Sequence, residues 1–442
     1  LHLRRGRFPK ANLLDVLFSG GILIVVCMAS LFIERHEMDL HRVANVALAI
    51  ILLMLALCPC AIFYGIYRSF IRAGRPFQFF LCHHKAGSGA FTRLLKMCLM
   101  DSSKVLRDVF IDSDNLDNLD RLFNYVAHDT ECLVVVASSE IFTRPWCIGE
   151  MCTAHVKNVP TLLVALPSFM LPNDRFIEEI TDRVESIEVL TENGISRAIQ
   201  IETLQWIASL PLIHVPQRLN KQVMSSLVNR LVSKEGNSID TDFSPPASEG
   251  PSPSSRSRQS VVTRQSILIY DRGNMEAAAT AHIVRRLLVP LLSHASERIP
   301  QVLEETLPPG TSFIVVVCTN GIFDAHDSLQ VLAQVPASIS SNALPLLCEQ
   351  GFRFPSKEFA EHLQHTFPGV FEPQDEAAIA FVVSSLFKEI AINFYAQQLS
   401  QAHLGLAAKD VARRLLAAKG FSNSARHLDV AGAGGTRSST YR

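Results

Sequence analysis

The strongest constraint on the fold of this chain is an internal repeat of an apolar run followed by a helical stretch. The segment "ECLVVVASSEIF", which ends at Phe142, aligns with "SFIVVVCTNGIF", which ends at Phe323. Further on, "TLLVALPSFML" aligns with "ALPLLCEQGFR". Short continuous apolar runs that alternate with helical stretches are typical of parallel strands covered on both faces. The repeat therefore predicts two copies of one α/β module.

The 442 residues fit two or three domains. We place the first module at 76–233 and the second at 264–400, followed by a helical end and a disordered tail at 401–442. The Ser- and Pro-rich stretch 234–263 has few large apolar residues and is predicted to be a disordered linker. The strands expected in the first module are "FQFFLC", "VLRDVFID", "CLVVVAS", "TLLVAL" and "ESIEVLT". The second module is expected to have lost its second strand.

Residues 1–75 contain two uncharged apolar runs, 16–33 and 43–67, which predict helices at about 14–33 and 43–67. Roughly 20 apolar residues span a bilayer as a helix, so both runs are predicted to be transmembrane helices in contact with membrane lipid. Arg and Lys residues flank the outer ends of the pair, which places both termini and the modules in the cytoplasm. A cleaved signal peptide is the alternative for the first run, and buried helices of a soluble protein are the alternative for both. Because the chain begins with Leu, we expect further sequence upstream.

Charge and cysteine content narrow the class of partner. Lys plus Arg (41) nearly balances Asp plus Glu (42), so no overall charge favours a nucleic acid. The ten cysteines show no paired spacing in loops, and reduced thiols are expected. Cys58 and Cys60, on either side of Pro59, fit either a simple kink in a helix or a soft-metal pair.

Over about residues 76–215 the first module resembles a Toll/interleukin-receptor (TIR) domain. The resemblance rests on "FFLCHHKAGSGAFTRLL", "VFIDSDNL", "LVVVASSEIF" and "RPWCIGE", in this order. It implies a flavodoxin-like parallel sheet and self-association in signalling. Some TIR domains also cleave the nicotinamide–ribose bond of NAD+, with a catalytic Glu in a W-x-x-x-E arrangement. Trp146 and Glu150 match that arrangement.

The chemistry of this pair is reasonable for such a reaction. Four residues apart on a helix, Trp146 and Glu150 share one face, near the carboxyl ends of the strands, where open α/β sheets bind ligands. A carboxylate can stabilise an oxocarbenium-like transition state, and an indole beside it lowers the local polarity. We therefore predict Glu150 as the catalytic residue and Trp146 as a substrate-binding residue. Alternatively, the Trp covers the edge of the sheet and the Glu is a solvated helix residue.

Other substrate-binding candidates follow the first two strands. Lys85 and His84 are expected to contact a phosphate, and Gly87 allows close approach of the backbone; a plain strand-to-helix turn is the alternative. Asp112 opens the loop that, by the resemblance, controls access to the pocket, although the loop lacks the family's Gly. Its acidic cluster fits either a divalent cation or a solvated loop. No metal site is predicted, because the His83–His84 pair has no further ligand at a suitable spacing.

The second module has Val331 and Asp327 where the first has Glu150 and Trp146. This copy is therefore expected to be inactive and to serve dimerisation or regulation. Two functions remain: a membrane-anchored TIR signalling or scaffold protein that acts through homotypic TIR contacts, or an NAD+ hydrolase that uses NAD+ as substrate and needs no cofactor. A channel is a third hypothesis, but neither apolar run carries the charges of a permeation path.

Overall fold

The computed structural model describes residues 75–115, 121–233 and 265–418, except 304, 341 and 357, together with four positions between 45 and 52. The chain divides into two compact units, Leu1–Arg75 and Pro76–Arg442. The described part of the second unit contains two α/β modules, and the predicted linker and tail lie outside the described residues.

No helix among the described residues is both long and apolar enough to cross a membrane. The longest of them have 17 residues, whereas a helix needs roughly 20 mainly apolar residues to span a bilayer. Apart from the four isolated positions, the two predicted spans lie outside the described residues. The transmembrane helices of the expected fold class and the predicted localisation as an integral membrane protein are corrected to this extent: the described residues contain no helix that could carry them.

The first module alternates strands with helices along the chain. Its strands are β1 (Phe77–His83), β2 (Asp108–Phe110), β3 (Thr130–Ala137), β4 (Thr161–Ala165) and β5 (Leu212–His214). Its helices are α1 (Lys85–Asp101), α2 (Asp112–Asn115), α3 (Leu122–Asn124), α4 (Pro145–Val156), α5 (Asp174–Glu178), α6 (Ile180–Arg183), α7 (Glu188–Glu192), α8 (Arg197–Ser209) and α9 (Lys221–Ser233).

The second module repeats this order. Its strands are β6 (Gln265–Ile269), β7 (Gln301–Val302), β8 (Thr311–Cys318), β9 (Ala343–Leu347) and β10 (Ile392–Asn393). Its helices are α10 (Met275–Leu291), α11 (His326–Ala333), α12 (Ala337–Ser340), α13 (Phe359–Thr366), α14 (Pro373–Leu386) and α15 (Gln401–Ala417). Helix α15 follows the last strand, as α9 does in the first module.

Both sheets are parallel and have the same topology. The first has the order β2-β1-β3-β4-β5, and the second has the equivalent order β7-β6-β8-β9-β10. This order is compatible with a flavodoxin-like fold, with the switch point of the connections beside the first strand of each sheet. The prediction that the second module has lost its second strand is wrong, because β7 pairs with β6.

The prediction of a strand at "ESIEVLT" is also wrong. Residues Glu188–Glu192 form helix α7, in which Leu190 is fully buried. The last strand of the first sheet is the three-residue β5, which pairs with β4. A strand of three residues is too short to show an alternation of apolar and polar residues, so β5 was not predicted. The alternation of Ile187 and Val189 with polar residues at the start of α7 is the pattern of a strand, which explains the wrong prediction there.

One hydrophobic core joins the two modules. It combines the inner faces of both sheets with helices α1, α9, α10 and α15, so these four helices lie between the sheets. Helix α10 contacts α1 closely, because the first turns of α10 carry a run of buried alanines. The outer faces of the two sheets have separate cores, with α4 and α8 on one side and α11 and α14 on the other. Self-association between chains stays a prediction, since this module pairing is internal.

Gly89 in α1 marks the closest approach of the modules. A Cβ atom at this position would lie 2.5 Å from Cβ and 3.0 Å from Cα of Gln397, which follows β10. We expect Gly89→Ala to lower the free energy of unfolding by about 1–3 kcal/mol, because the backbone of the second module must move. Chemical unfolding in urea measures this change.

The matched control is Gly405→Ala in helix α15. An added Cβ atom there meets nothing within 4 Å, and alanine in a helix interior is favoured over glycine by about 0.5–1 kcal/mol. The control is therefore expected to stabilise the chain. Equal stability of the Gly89→Ala variant and the wild type would show that the modules do not approach this closely.

Candidate functional site

A cavity of about 850 Å³ lies between the two modules. Its lining segments directly follow strands of both sheets, which places the cavity at the carboxyl ends of the strands. Ligands of open α/β sheets bind at that edge. The first module contributes Lys85, Ala86, Gly87 and Arg144, and the second contributes Asn274, Glu276, Thr280, Thr319, Asn320, Cys348, Glu349, Gln350, Gly351, Gln397 and Gln398.

The wall from the first module is cationic. Lys85 lines the cavity, and its Nζ lies 3.0 Å from Oδ2 of Asp112, which partly neutralises it. Arg144 is half-buried, and among the described residues its side chain has no ion-pair or hydrogen-bond partner at contact distance, although it interacts electrostatically with Glu150 at longer range. A half-buried guanidinium without an acidic partner favours a ligand that carries negative charge.

The wall from the second module presents mainly amides and two carboxyl groups, those of Glu276 and Glu349. Glu349 accepts a hydrogen bond from the backbone N–H of Asn320 at 3.0 Å, and Gln397 donates from Nε2 to the carbonyl of Cys348 at 3.0 Å. The buried hydroxyl of Thr319 has no hydrogen-bond partner in the described part of the chain. Such groups suit the hydroxyl groups of a polar ligand.

Only some residues of the loop predicted to bind phosphate line this cavity. Gly87 lines it, and a Cβ atom there would approach Oγ of Ser138 to 3.2 Å. His84 instead caps helix α1, where its Nδ1 accepts a hydrogen bond from the backbone N–H of Gly87 at 3.3 Å. Burial lowers the pKa of His84. The structure thus brings together Lys85, Gly87 and, through the ion pair, Asp112, and assigns His84 to the helix start.

Glu150 does not line the cavity. It is only 6% exposed in helix α4, and its Oε2 atom has no hydrogen-bond partner within the described residues. Burial raises the pKa of Glu150 to about 8, although a hydrogen bond with the Cys82 thiol opposes the shift. A carboxyl group with such a pKa is mostly neutral near pH 7. The catalytic role of Glu150 therefore gains no support from this environment and stays a prediction.

Trp146 is a packing residue in the structure. Its half-buried ring lies 5.6 Å from that of Phe123, centroid to centroid, and belongs to the margin of the outer core of the first module. Gly149 makes room for this contact, since a Cβ atom there would come within 2.4 Å of the Phe123 ring. Trp146 and Glu150 share a helix, but the structure does not bring them together around a ligand site.

Sequence reasoning missed two groups of residues. Arg144 directly precedes the motif of Trp146 and Glu150, yet a lone Arg before a Pro carries no recognisable signal. Cys82 and Cys147 lie beside Glu150, with the Sγ of Cys147 3.3 Å from the carbonyl oxygen of His83. The i, i+3 spacing of Cys147 and Glu150 on one helix was the available signal. The third residue, Cys82, lies on strand β1, and the spacing does not indicate it.

Two side chains join the walls of the cavity, the half-buried carboxyl group of Glu276 and the buried guanidinium of Arg93. Glu276 in α10 accepts hydrogen bonds from the backbone N–H groups of Ala90, at 2.7 Å, and Phe91, at 2.9 Å, in α1. Arg93 in α1 donates to the carbonyls of Ala396 and Leu399, both at 2.7 Å. These bonds cross the interface in both directions, so the cavity exists only when the modules are docked.

Fold and cavity define an α/β protein with two parallel five-stranded sheets, whose order is compatible with a flavodoxin-like fold, and a polar cavity between the two modules. A scan against protein-family models finds no match, and a search of curated proteins finds no match either. The resemblance to TIR domains therefore gains no support from these comparisons and stays a prediction. The predicted cleavage of NAD+ by Glu150 also gains no support, because the carboxyl group is buried and does not line the cavity.

Proposed function

We propose that residues 76–418 form a binding unit for a small, hydroxyl-rich anion of the nucleotide or sugar-phosphate class. The observation that carries the proposal is the position of Arg144, a half-buried cation without an acidic partner among the described residues, on the wall of the cavity. In this assignment the anionic group binds Arg144 and Lys85. The ligand's hydroxyl groups contact Glu349 and the amides of the second module.

The second module explains why the unit is built from two copies. In the first module alone, Lys85 and Arg144 would face solvent, where a single charge pair contributes little to affinity. Docking of the second module encloses them within about 850 Å³, a volume within the range of small-molecule sites. The degenerate copy thus supplies half of the binding site, which is a role that needs no catalytic carboxylate at Val331.

Calorimetric titration of the full chain tests the proposal. The panel consists of NAD+, AMP, ribose 5-phosphate and inorganic phosphate. We expect at least one member to bind, and Arg144→Ala to weaken that binding by roughly 10- to 100-fold, because a hydrogen bond to a charged group contributes about 1.5–3 kcal/mol.

Arg218→Ala is the matched control. Arg218 is exposed and does not line the cavity, so its loss should leave the affinity unchanged. If no member of the panel binds, or if the Arg144→Ala variant binds as tightly as the wild type, the assignment is wrong. Nicotinamide release, followed in the same samples by chromatography, separates binding of NAD+ from its cleavage.

A further inference from the structure

Three potential metal ligands lie together behind the cavity wall of the first module. They are Cys82 at the end of β1 and Cys147 and Glu150 in α4, which are 1%, 4% and 6% exposed. One ligand atom from each lies within 4.8 Å of the other two. None of these residues lines the cavity. The cluster is therefore a separate site, although Glu150 interacts electrostatically with Lys85 and Arg144 on the cavity wall.

The carboxyl group is the unusual member of this cluster. Its Oε2 atom is buried without a hydrogen-bond partner within the described part of the chain. Leaving a buried polar group unsatisfied costs free energy. Two thiols beside such an oxygen form a mixed sulfur–oxygen ligand set, and a bound cation would satisfy all three groups at once.

We propose that Cys82, Cys147 and Glu150 bind one zinc ion. Thiolate and carboxylate groups are both common zinc ligands, whereas Ca²⁺ and Mg²⁺ prefer sites made of oxygen alone. Cys147 and Glu150 are three residues apart on α4, so they present their ligand atoms on one face of the helix. Cys82 completes the set from the neighbouring strand. The ion binds the thiolate and carboxylate forms, and the displaced protons pass to solvent.

The second module provides an internal comparison. The equivalent positions in the second module hold Ile269, Ser328 and Val331. Ile269 pairs with β8 at the same register at which Cys82 pairs with β3. Ser328 and Val331 are the third and sixth residues of α11, as Cys147 and Glu150 are of α4. An Ile and a Val offer no ligand atom. The chain should therefore bind a single ion by this set, in the first module only.

Titration of the reduced full chain with Co²⁺ tests the site, because Co²⁺ substitutes for zinc and reports on thiolate ligands by absorption. We expect one equivalent to produce a sulfur-to-cobalt charge-transfer band that Zn²⁺ then abolishes. The band should fall by about half or more in Cys147→Ser, which leaves the Cys82 thiolate as the one sulfur ligand of this set. Glu150→Gln keeps both thiols but removes the carboxylate ligand. Its affinity for Co²⁺ should fall by more than roughly tenfold, because tenfold is already the typical loss when a residue that only orients a metal ligand is replaced.

Cys152→Ser is the matched control. Cys152 is a fully buried cysteine of the same helix and lies outside the cluster, so its variant should keep the band. Far-ultraviolet circular dichroism shows whether each variant is folded. The proposal is overturned if the wild type gives no charge-transfer band, if the band is undiminished in Cys147→Ser, or if Glu150→Gln binds Co²⁺ as tightly as the wild type.

Discussion

Replacing Arg93 by Ala is expected to lower the free energy of unfolding by roughly 3–5 kcal/mol, the cost of breaking one side of a buried ion pair. Arg93 is 1% exposed. Besides its two carbonyl partners in the second module, it donates to Asp114 at 2.9 Å and to Ser113 at 2.7 Å. Burial alone would raise the pKa of Asp114, but Arg93 and Lys96 hold it below its usual value. Without Arg93 the carbonyls of Ala396 and Leu399 lose this donor, and Asp114 keeps Lys96 as its cationic partner.

The same variant should uncouple the two modules. Both tryptophans of the chain, Trp146 and Trp206, belong to the first module, so their fluorescence reports its unfolding alone, whereas circular dichroism reports both modules. In the wild type, the shared core predicts coincident urea transitions by the two methods. In Arg93→Ala we expect the two transitions to separate.

Two further variants sharpen this test. Arg93→Lys should fail to restore stability, because an ammonium group cannot reproduce the planar set of guanidinium donors. Arg107→Ala removes a partly exposed ion pair with Glu131, and such pairs contribute at most about 1 kcal/mol. A loss in Arg93→Ala no larger than that in Arg107→Ala would contradict the role assigned to Arg93.

The second prediction concerns pH and Glu276. Burial raises the pKa of this carboxyl group from 4.5 to about 7, although the N–H groups of Phe91 and Ala90 oppose the shift. The folded chain therefore binds more protons than the unfolded chain between these pH values. Stability must fall as the pH rises through this interval. At about 1.4 kcal/mol per pKa unit, the total loss is on the order of 3 kcal/mol.

Comparison of the wild type with Glu276→Gln isolates this effect, since other titrating groups are common to both chains. We expect the free energy of unfolding of the wild type to fall relative to that of the variant from about pH 4.5 to pH 7 and to level off above. Urea unfolding at a series of pH values, with a chelator present, measures the difference. A relative rise with pH would mean that the two N–H donors outweigh burial and keep the carboxylate ionised.

The central strands and the edge strand β2 could be predicted from the sequence, but the other three edge strands could not. β1, β3, β4, β8 and β9 are continuous apolar runs of five to eight residues, buried on both faces. By contrast, β5, β7 and β10 have only two or three residues. Their backbone pairs with a neighbouring strand already in place, so they need no apolar pattern of their own.

The candidate site shows the same division. Lys85 and Gly87 were predicted because they follow a strong strand, and a strand-to-helix turn at the carboxyl end of a sheet is a local feature. The surroundings of Glu150 were not predicted. Its spacing from Trp146 fixes a shared helix face, but not which neighbours that face meets. Packing of α4 against β1 buried the carboxyl group beside Cys82.

The sequence alone determined the repeated α/β pattern, because strand and helix periodicity depend on residues only a few positions apart. Tertiary structure alone decided how the modules pair, since Ala90 meets Glu276 and Arg93 meets Ala396 across 186 and 303 residues of chain. Bonds between residues so distant in the chain leave no periodic signal. The cavity, the buried charges and the cluster beside Glu150 all depend on such long-range contacts.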